Sequence, residues 1–260
     1  MPATARLYAE ALSVAYARAP VLDHLSAEIP DGALTVIAGL NGCGKSTLLR
    51  SLARLQAAGS GQVVLDGKAI HRQRSRAVAR KLAILPQSHA APEGLTVRDL
   101  AARGRTPYQS ALRQWSNQDA AAVEQALELT GMISWAGRPL ESLSGGQRQR
   151  AWIAMALAPD TEILLLDEPT TYLELPHQIE LLKLVQKLNR ETGRTVAMVL
   201  HDINLAARFA NHVLALKDGR VFCQGRPGEI VTETVMQSVF GLACRVIADP
   251  VHGAPYVIPL

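Results

Sequence analysis

Short, nearly unbroken apolar runs recur along the chain, separated by longer stretches with helical spacing. Leu34-Thr35-Val36-Ile37-Ala38, Leu82 to Leu85, Ile163 to Leu166 and Thr195 to Leu200 read as strands covered on both faces, as parallel strands are. Alternating positions from Leu7 to Tyr16 predict an edge strand, and Leu25 to Ile29 its partner before the turn at Pro30-Asp31-Gly32. Gly59-Ser60-Gly61 reads as a turn. Val63 to Leu65 running into Asp66-Gly67, and Lys217 to Arg220, read as hairpins. Helical patterns cover Lys45 to Leu55, Leu143 to Ala158, Pro176 to Asn189 and most of Pro227 to Gly241. Cys244 to Leu260 has the look of a small β appendage.

Between Ser88 and Leu143 the β-branched runs vanish. Thr96-Val97-Arg98-Asp99 and Ser116-Asn117-Gln118-Asp119 have the form of helix starts, the second ahead of a helix over Ala120 to Leu129. The expected organisation is an α/β core over 1–87 and 144–225, beginning with an antiparallel β subdomain. A helical insertion fills 88–143, and an appendage follows over 226–260. Arg72, Arg74, Arg76, Arg80 and Lys81 form a basic run on an expected helix, the usual pattern of a solvated face. The loop from Arg103 to Trp115 carries Arg103, Arg105, Arg113, Tyr108 and Trp115. It suits either a partner protein near anionic lipid or a solvated loop with one packed Trp.

Composition narrows the classes. In 260 residues nearly half are hydrophobic, enough for one substantial core. The net charge of +4, from 27 basic and 23 acidic residues, suits an anionic ligand or a membrane surface. A dedicated nucleic-acid binder carries a denser basic stripe. Three cysteines without CxxC spacing argue for a reducing compartment and against a disulfide or zinc scaffold. Met1 to Glu10 lacks the pattern of a signal peptide. The apolar runs fall far short of the roughly 20 residues of a membrane span. The expectation is a protein soluble by itself, in the cytoplasm.

The chemistry gathers around Gly39-Leu40-Asn41-Gly42-Cys43-Gly44-Lys45-Ser46-Thr47. A strand, a glycine turn and a helix in that order form the context of a phosphate-binding loop. Successive backbone N–H groups can curl round a phosphate, and the helix adds its positive end. Lys45 would reach the outer phosphates, and Ser46 would offer its hydroxyl to Mg²⁺. Asp167 and Glu168 follow a buried strand at its C-terminal end, where open α/β sheets bind ligands. There Asp167 can hold Mg²⁺ while Glu168 polarises water. Ser144, Gly145, Gly146 and Gln147 form a second candidate anion site, or simply a helix cap. Tyr16 can stack on an adenine ring or serve as a half-buried strand aromatic. His201, at another strand end, can bond a γ-phosphate or play a structural part.

The order of these pieces resembles the ATP-binding subunits of ABC transporters. The likeness covers essentially the whole chain: an aromatic Tyr16, a Walker A loop from Gly39 to Thr47, Gln87 of the Q-loop, a signature from Leu143 to Gln147, a Walker B strand from Ile163 to Glu168, and His201 of the switch loop. The resemblance implies a P-loop NTPase (RecA-like) core, ATP and Mg²⁺ as ligands, and Gln87 beside Ser46 and Asp167 at the metal. Lys45, Gln87, Glu168 and His201 would act in hydrolysis. It implies a head-to-tail dimer in which Ser144, Gly145, Gly146 and Gln147 of one copy cover ATP on the other. It also implies integral-membrane permease subunits, an indirectly coupled substrate-binding protein, and a peripheral place on the cytoplasmic face of the inner membrane.

Within the family the chain is most similar to importers of iron complexes, ferric siderophores first, with haem and cobalamin importers as close relatives. This likeness lies in Arg103 to Tyr108, Leu143 to Trp152, Asp167 to Tyr172, Leu200 to Asn204 and Asp249-Pro250-Val251. Two departures stand out. Leu173-Glu174 replaces the family's Leu-Asp, adding a methylene at a cross-dimer contact, and Cys43 replaces a frequent Ser at a place where the backbone does the binding. Soluble ABC ATPases acting on nucleic acid or the ribosome typically carry two ATPase units or a long coiled coil. This chain has one Walker A motif. A module that binds without hydrolysing is disfavoured by Lys45, Glu168 and His201.

Overall fold

The computed structural model describes residues 5–17, 19–87, 91–110, 115–171 and 173–260. Arg113, Tyr172 and Ser88 lie outside the described residues. The chain opens with β1 (Leu7–Tyr16) and β2 (Ala19–Ile29), paired antiparallel. After β3 (Leu34–Gly39) and helix α1 (Lys45–Leu52), β4 (Ser60–Leu65) and β5 (Lys68–Ala69) return to them. The result is a four-stranded sheet of order β2-β1-β4-β5.

This corrects two expectations. β1 is an inner strand, with β2 on one side and β4 on the other, so the alternation marks one buried face and no free edge. Ser60 and Gly61 are strand residues: Gly61 crosses so close to β1 that a Cβ there would lie 2.2 Å from the Ala11 carbonyl oxygen. Its glycine serves close approach at a bulge, where Ala11 itself has φ 45°. Helix α1 ends earlier than its apolar pattern, because Arg54 turns left-handed at φ 63°. The basic run is likewise broken, its one α-helix being α2 (Ser75–Ala79).

The second sheet positions the site. β3, β6 (Leu82–Leu85), β7 (Ile163–Leu166) and β8 (Thr195–Val199) run parallel, joined by β9 (His212–Lys217) and the antiparallel β10 (Arg220–Gly225). The order is β10-β9-β3-β8-β7-β6. Successive residues point to opposite faces, and each face has its own core. Val36, Leu164, Leu166 and Met198 pack with the helical layer, whereas Ile37, Leu165, Ala197 and Val199 pack with α1 and the first sheet. Burial on both faces is why these runs are almost wholly apolar.

The helical layer contains α3 (Val97–Arg103), α4 (Asn117–Leu129) and α5 (Gly145–Leu157), followed beyond β7 by α6 (Leu175–Thr192). Capping boxes at Thr96/Asp99 and Ser116/Asp119 start α3 and α4. Helix α7 (Ile203–Phe209) follows β8. Helices α8 (Pro227–Ile230) and α9 (Glu233–Phe240) and the hairpin β11 (Cys244–Ala248)–β12 (Pro255–Pro259) close the chain.

The loop after α3 departs from both of its readings, a basic, aromatic docking loop and a solvated loop with one packed Trp. Arg105 is buried, donates from Nε to Asp119 Oδ1 at 2.8 Å and from Nη1 to the Ala158 carbonyl at 2.9 Å. Its guanidinium lies 3.9 Å from the Tyr108 ring centre, and the Tyr108 hydroxyl donates to the Pro159 carbonyl. Both side chains therefore stitch the helical layer to the core, while Arg103 and Trp115 stay exposed.

Burial alone would raise the Asp119 carboxyl, but hydrogen bonds from Ser116 and Arg105 outweigh it and hold the carboxyl below its ordinary value. The stabilisation is thus present above the unfolded value of about 3.9 and is lost as pH falls through the folded one. Asp119→Ala leaves a buried guanidinium unpaired and should cost about 3–5 kcal/mol in urea unfolding at neutral pH. A loss below about 1 kcal/mol would show the pair to be screened like a surface one.

Candidate nucleotide site

Because β3, β6, β7 and β8 are parallel and in register, their C-terminal ends meet along one rim of the sheet. Gly39 ends β3, Gln87 follows β6, Asp167 and Glu168 follow β7, and His201 follows β8. Asn41, Gly42, Gly44, Lys45, Ser46, Thr47, Gln87, Glu168 and His201 line a single cavity there of about 590 Å³, within the range of nucleotide-sized pockets. Val21, from β2, and Thr171 complete it.

Glycine is required at two loop positions. A Cβ on Gly39 would lie 2.4 Å from the Leu216 carbonyl oxygen, and one on Gly44 2.6 Å from Leu22 Cδ2, with φ at 149° and 101° respectively. The loop is thus pressed against β9 on one side and β2 on the other. The buried Lys45 ammonium donates to the Gly39 and Leu40 carbonyls at 3.0 and 2.9 Å, drawing the loop around itself. Cys43 packs inward, and burial pushes its thiol up, so it serves as an apolar filler.

Beside the loop, Ser46 Oγ donates to Asp167 Oδ1 at 2.7 Å. Asp167 is buried, and its Oδ2 has no hydrogen-bond partner; the nearest cation is Arg50 Nε at 3.4 Å. Burial raises this carboxyl above its ordinary value, with Ser46 and Arg50 opposing. A buried carboxylate with an unmatched oxygen next to a hydroxyl is a hard-oxygen donor set, which fits Mg²⁺. Such a cation would supply the positive charge that burial withholds from Asp167.

Glu168 is fixed from three directions. Gln87 Nε2 donates to its Oε2 at 2.7 Å, Thr171 Oγ1 donates to the same oxygen at 3.0 Å, and His201 Nε2 lies 2.8 Å from Oε1. Its backbone has φ 51°, an uncommon conformation for a side chain of this size, stabilised by the turn in which Thr171 N–H bonds the Glu168 carbonyl.

Of the glycine loop, Gly39, Leu40 and Cys43 do not line the cavity, and two expected binding groups outside the loop are elsewhere in the single chain. Ser144 caps α5, its Oγ accepting from Gln147 N–H at 3.3 Å while Gln147 Oε1 accepts from Ser144 N–H at 3.0 Å, and none of Ser144 to Gln147 lines the cavity. Tyr16, half exposed at the end of β1, does not line it either. Glu174 is the residue preceding α6 and makes no side-chain cap. Sequence reading missed Thr171, Arg50 and Val21. Thr171 carried a signal, three residues after Glu168 in a turn; Val21 reaches the cavity only through packing of one sheet on another.

The family described as ABC transporter matches residues 22–171. A probable siderophore transport system ATP-binding protein of Bacillus subtilis (strain 168), YusV, is 54% identical over 96% of the chain and 91% of its own length. The ferric enterobactin transport ATP-binding protein FepC of Escherichia coli (strain K12) is 50% identical over 98% and 94%. Among solved structures, an inward-facing metal-chelate type ABC transporter superposes with a TM-score of 0.84 at 28% identity, covering 98% of this chain and 97% of that one. The dimeric structure of MJ0796, a bacterial ABC transporter cassette, superposes at 0.74 with 28% identity over 85% and 98%. The chain belongs to the ATP-binding subunits of ABC transporters and is an ATPase of that family.

The raised Asp167 carboxyl has a consequence for stability. Its folded value lies above its unfolded one, so its charge destabilises the fold above the folded value, and that cost fades as pH falls. Asp167→Asn should therefore melt no lower than the parent without nucleotide at neutral pH, while losing Mg²⁺-dependent turnover. A clear drop in melting temperature would show that the Arg50 contact outweighs burial.

Proposed function

We propose that this chain is the ATP-hydrolysing subunit of an importer of ferric siderophores. The observation that carries the hydrolytic half is the Glu168 carboxylate, held by Gln87, Thr171 and His201 at the lip of the glycine-loop cavity. The cargo is inferred from YusV and FepC, whose names specify siderophore and ferric enterobactin transport and whose identity extends through nearly the whole chain.

ATP enters with its phosphates against the backbone N–H groups of Asn41 to Thr47, where the glycine loop runs into the start of α1. Lys45, now bonded to two loop carbonyls, turns its charge toward the outer phosphates. Ser46 and Asp167, with Gln87, would hold Mg²⁺, which supplies charge to offset that building on the phosphates in the transition state. Glu168 accepts a hydrogen bond from water and orients it for attack on the γ-phosphorus. His201 orients Glu168 and meets the γ-phosphate.

The Ser144 to Gln147 helix start has no phosphate to serve in its own chain. It serves the partner copy, in a head-to-tail pair with two shared ATP sites. ATP closes that pair and hydrolysis opens it. Gln87, between the core and the helical layer, transmits the movement to the permease, and a substrate-binding protein delivers the cargo on the other side of the membrane. The subunit sits peripherally on the cytoplasmic face.

Glu168→Gln keeps the hydrogen-bonding shape but cannot accept the water's proton. The variant should bind ATP, turn over about 10²–10⁴-fold more slowly, and accumulate as a dimer in sedimentation with ATP. Cells relying on it should also lose uptake of radioiron presented as a ferric siderophore. Unchanged turnover would remove Glu168 as the base; lost turnover with intact uptake would reject the cargo.

A further inference from the structure

The C-terminal hairpin β11–β12 contributes no residue to the cavity, yet it is bonded to the segment that carries His201. The hydrogen-bonded part of that connection runs through one side chain of α7, Asn204. Asn204 Oδ1 accepts from the Val257 N–H at 2.7 Å, and Asn204 Nδ2 donates to the Val257 carbonyl at 3.2 Å.

The pairing follows from strand geometry. In an antiparallel pair, alternate residues turn both backbone groups outward. β12 has a strand neighbour on one side only, so the outward pair of Val257 needs a partner from elsewhere. An Asn amide offers one acceptor and one donor at the spacing of a peptide group and stands in for the missing strand. Val257 is itself buried, packed with Ala207 of α7 and with Val231, Met236 and Cys244.

Asn204 also belongs to the first turn after His201. Asp202 caps α7 by accepting from the Asn204 and Leu205 N–H groups at 2.8 and 3.0 Å. His201 is therefore set between two anchors. On one side β8 is locked into the sheet; on the other α7 is clamped to the hairpin. The His201 ring is half exposed and meets Glu168 at 2.8 Å, so the backbone anchors, more than packing around the ring, fix where the imidazole points.

We propose that Asn204 is a positioning residue for hydrolysis: by gripping β12 it holds the start of α7, and through it His201, in register with Glu168. The C-terminal hairpin is then a strut of the catalytic centre. The proposal rests on the reading that His201 acts on the reaction.

The test compares Asn204→Leu, Asn204→Asp and His201→Ala in the full chain for kcat, KM for ATP and melting temperature. Asn204→Leu removes two hydrogen bonds to the buried Val257, so its melting temperature should fall by about 4–10 °C, and the same melt shows whether it is folded at assay temperature. Asn204→Leu should lower kcat about 10- to 100-fold with KM unchanged, since a misplaced catalytic group costs that much. Asn204→Asp keeps the acceptor for Val257 N–H but sets a carboxylate against the Val257 carbonyl, so it should show the same split. It carries the test alone if the Leu variant does not fold. A wild-type kcat in the folded variant, or a loss in KM instead of kcat, would overturn the proposal. Full activity in His201→Ala would remove the reading beneath it, and that result is distinguishable because it does not depend on Asn204.

Discussion

The Glu168 carboxylate is the meeting point of the molecule. One oxygen takes hydrogen bonds from Gln87 and Thr171, and the other faces His201. These partners come from the ends of different strands, so the arrangement exists only while β6, β7 and β8 stay parallel and in register. The apolar character of those strands, with one core on each face of the sheet, is therefore the condition of the chemistry. A register slip would turn each strand inside out and carry Gln87 and His201 away from the carboxylate.

A second tension lies next to it. Asp167 is buried beside Ser46 with one oxygen unmatched, an arrangement costly to the empty protein and favourable once a cation is present. The glycine loop is under a comparable constraint, wedged between β9 and β2 where no Cβ fits at Gly39 or Gly44. Both constraints are of the kind commonly stored at functional sites. The Arg105–Asp119 pair answers a different need, tying the loop after α3 to α4 and to the end of α5.

Much of this was legible in the chain because its signals are local. Short apolar runs marked β3, β6, β7 and β8, and Thr96/Asp99 and Ser116/Asp119 marked two helix starts that the structure caps as expected. The glycine loop and the acidic pair after β7 needed only spacing. What was hidden depends on distant contact. Nothing near Arg105 announces that it is buried against Asp119, and alternation in β1 cannot say whether one neighbour or two lie beside it. Gly61 looks like a turn until the β1 backbone is seen to pass over it. Val21 enters the cavity, and Asn204 reaches β12, only through tertiary packing.

The claim on which the functional account stands is that one chain holds an incomplete site, finished by the Ser144 helix start of a second copy. A crystal structure of the Glu168→Gln protein with ATP and Mg²⁺ measures this directly. The account predicts a head-to-tail pair with the Ser144 hydroxyl of one copy about 3 Å from a γ-phosphate oxygen held by the other. A pair, or a monomer, in which that hydroxyl stays far from every γ-phosphate would contradict it.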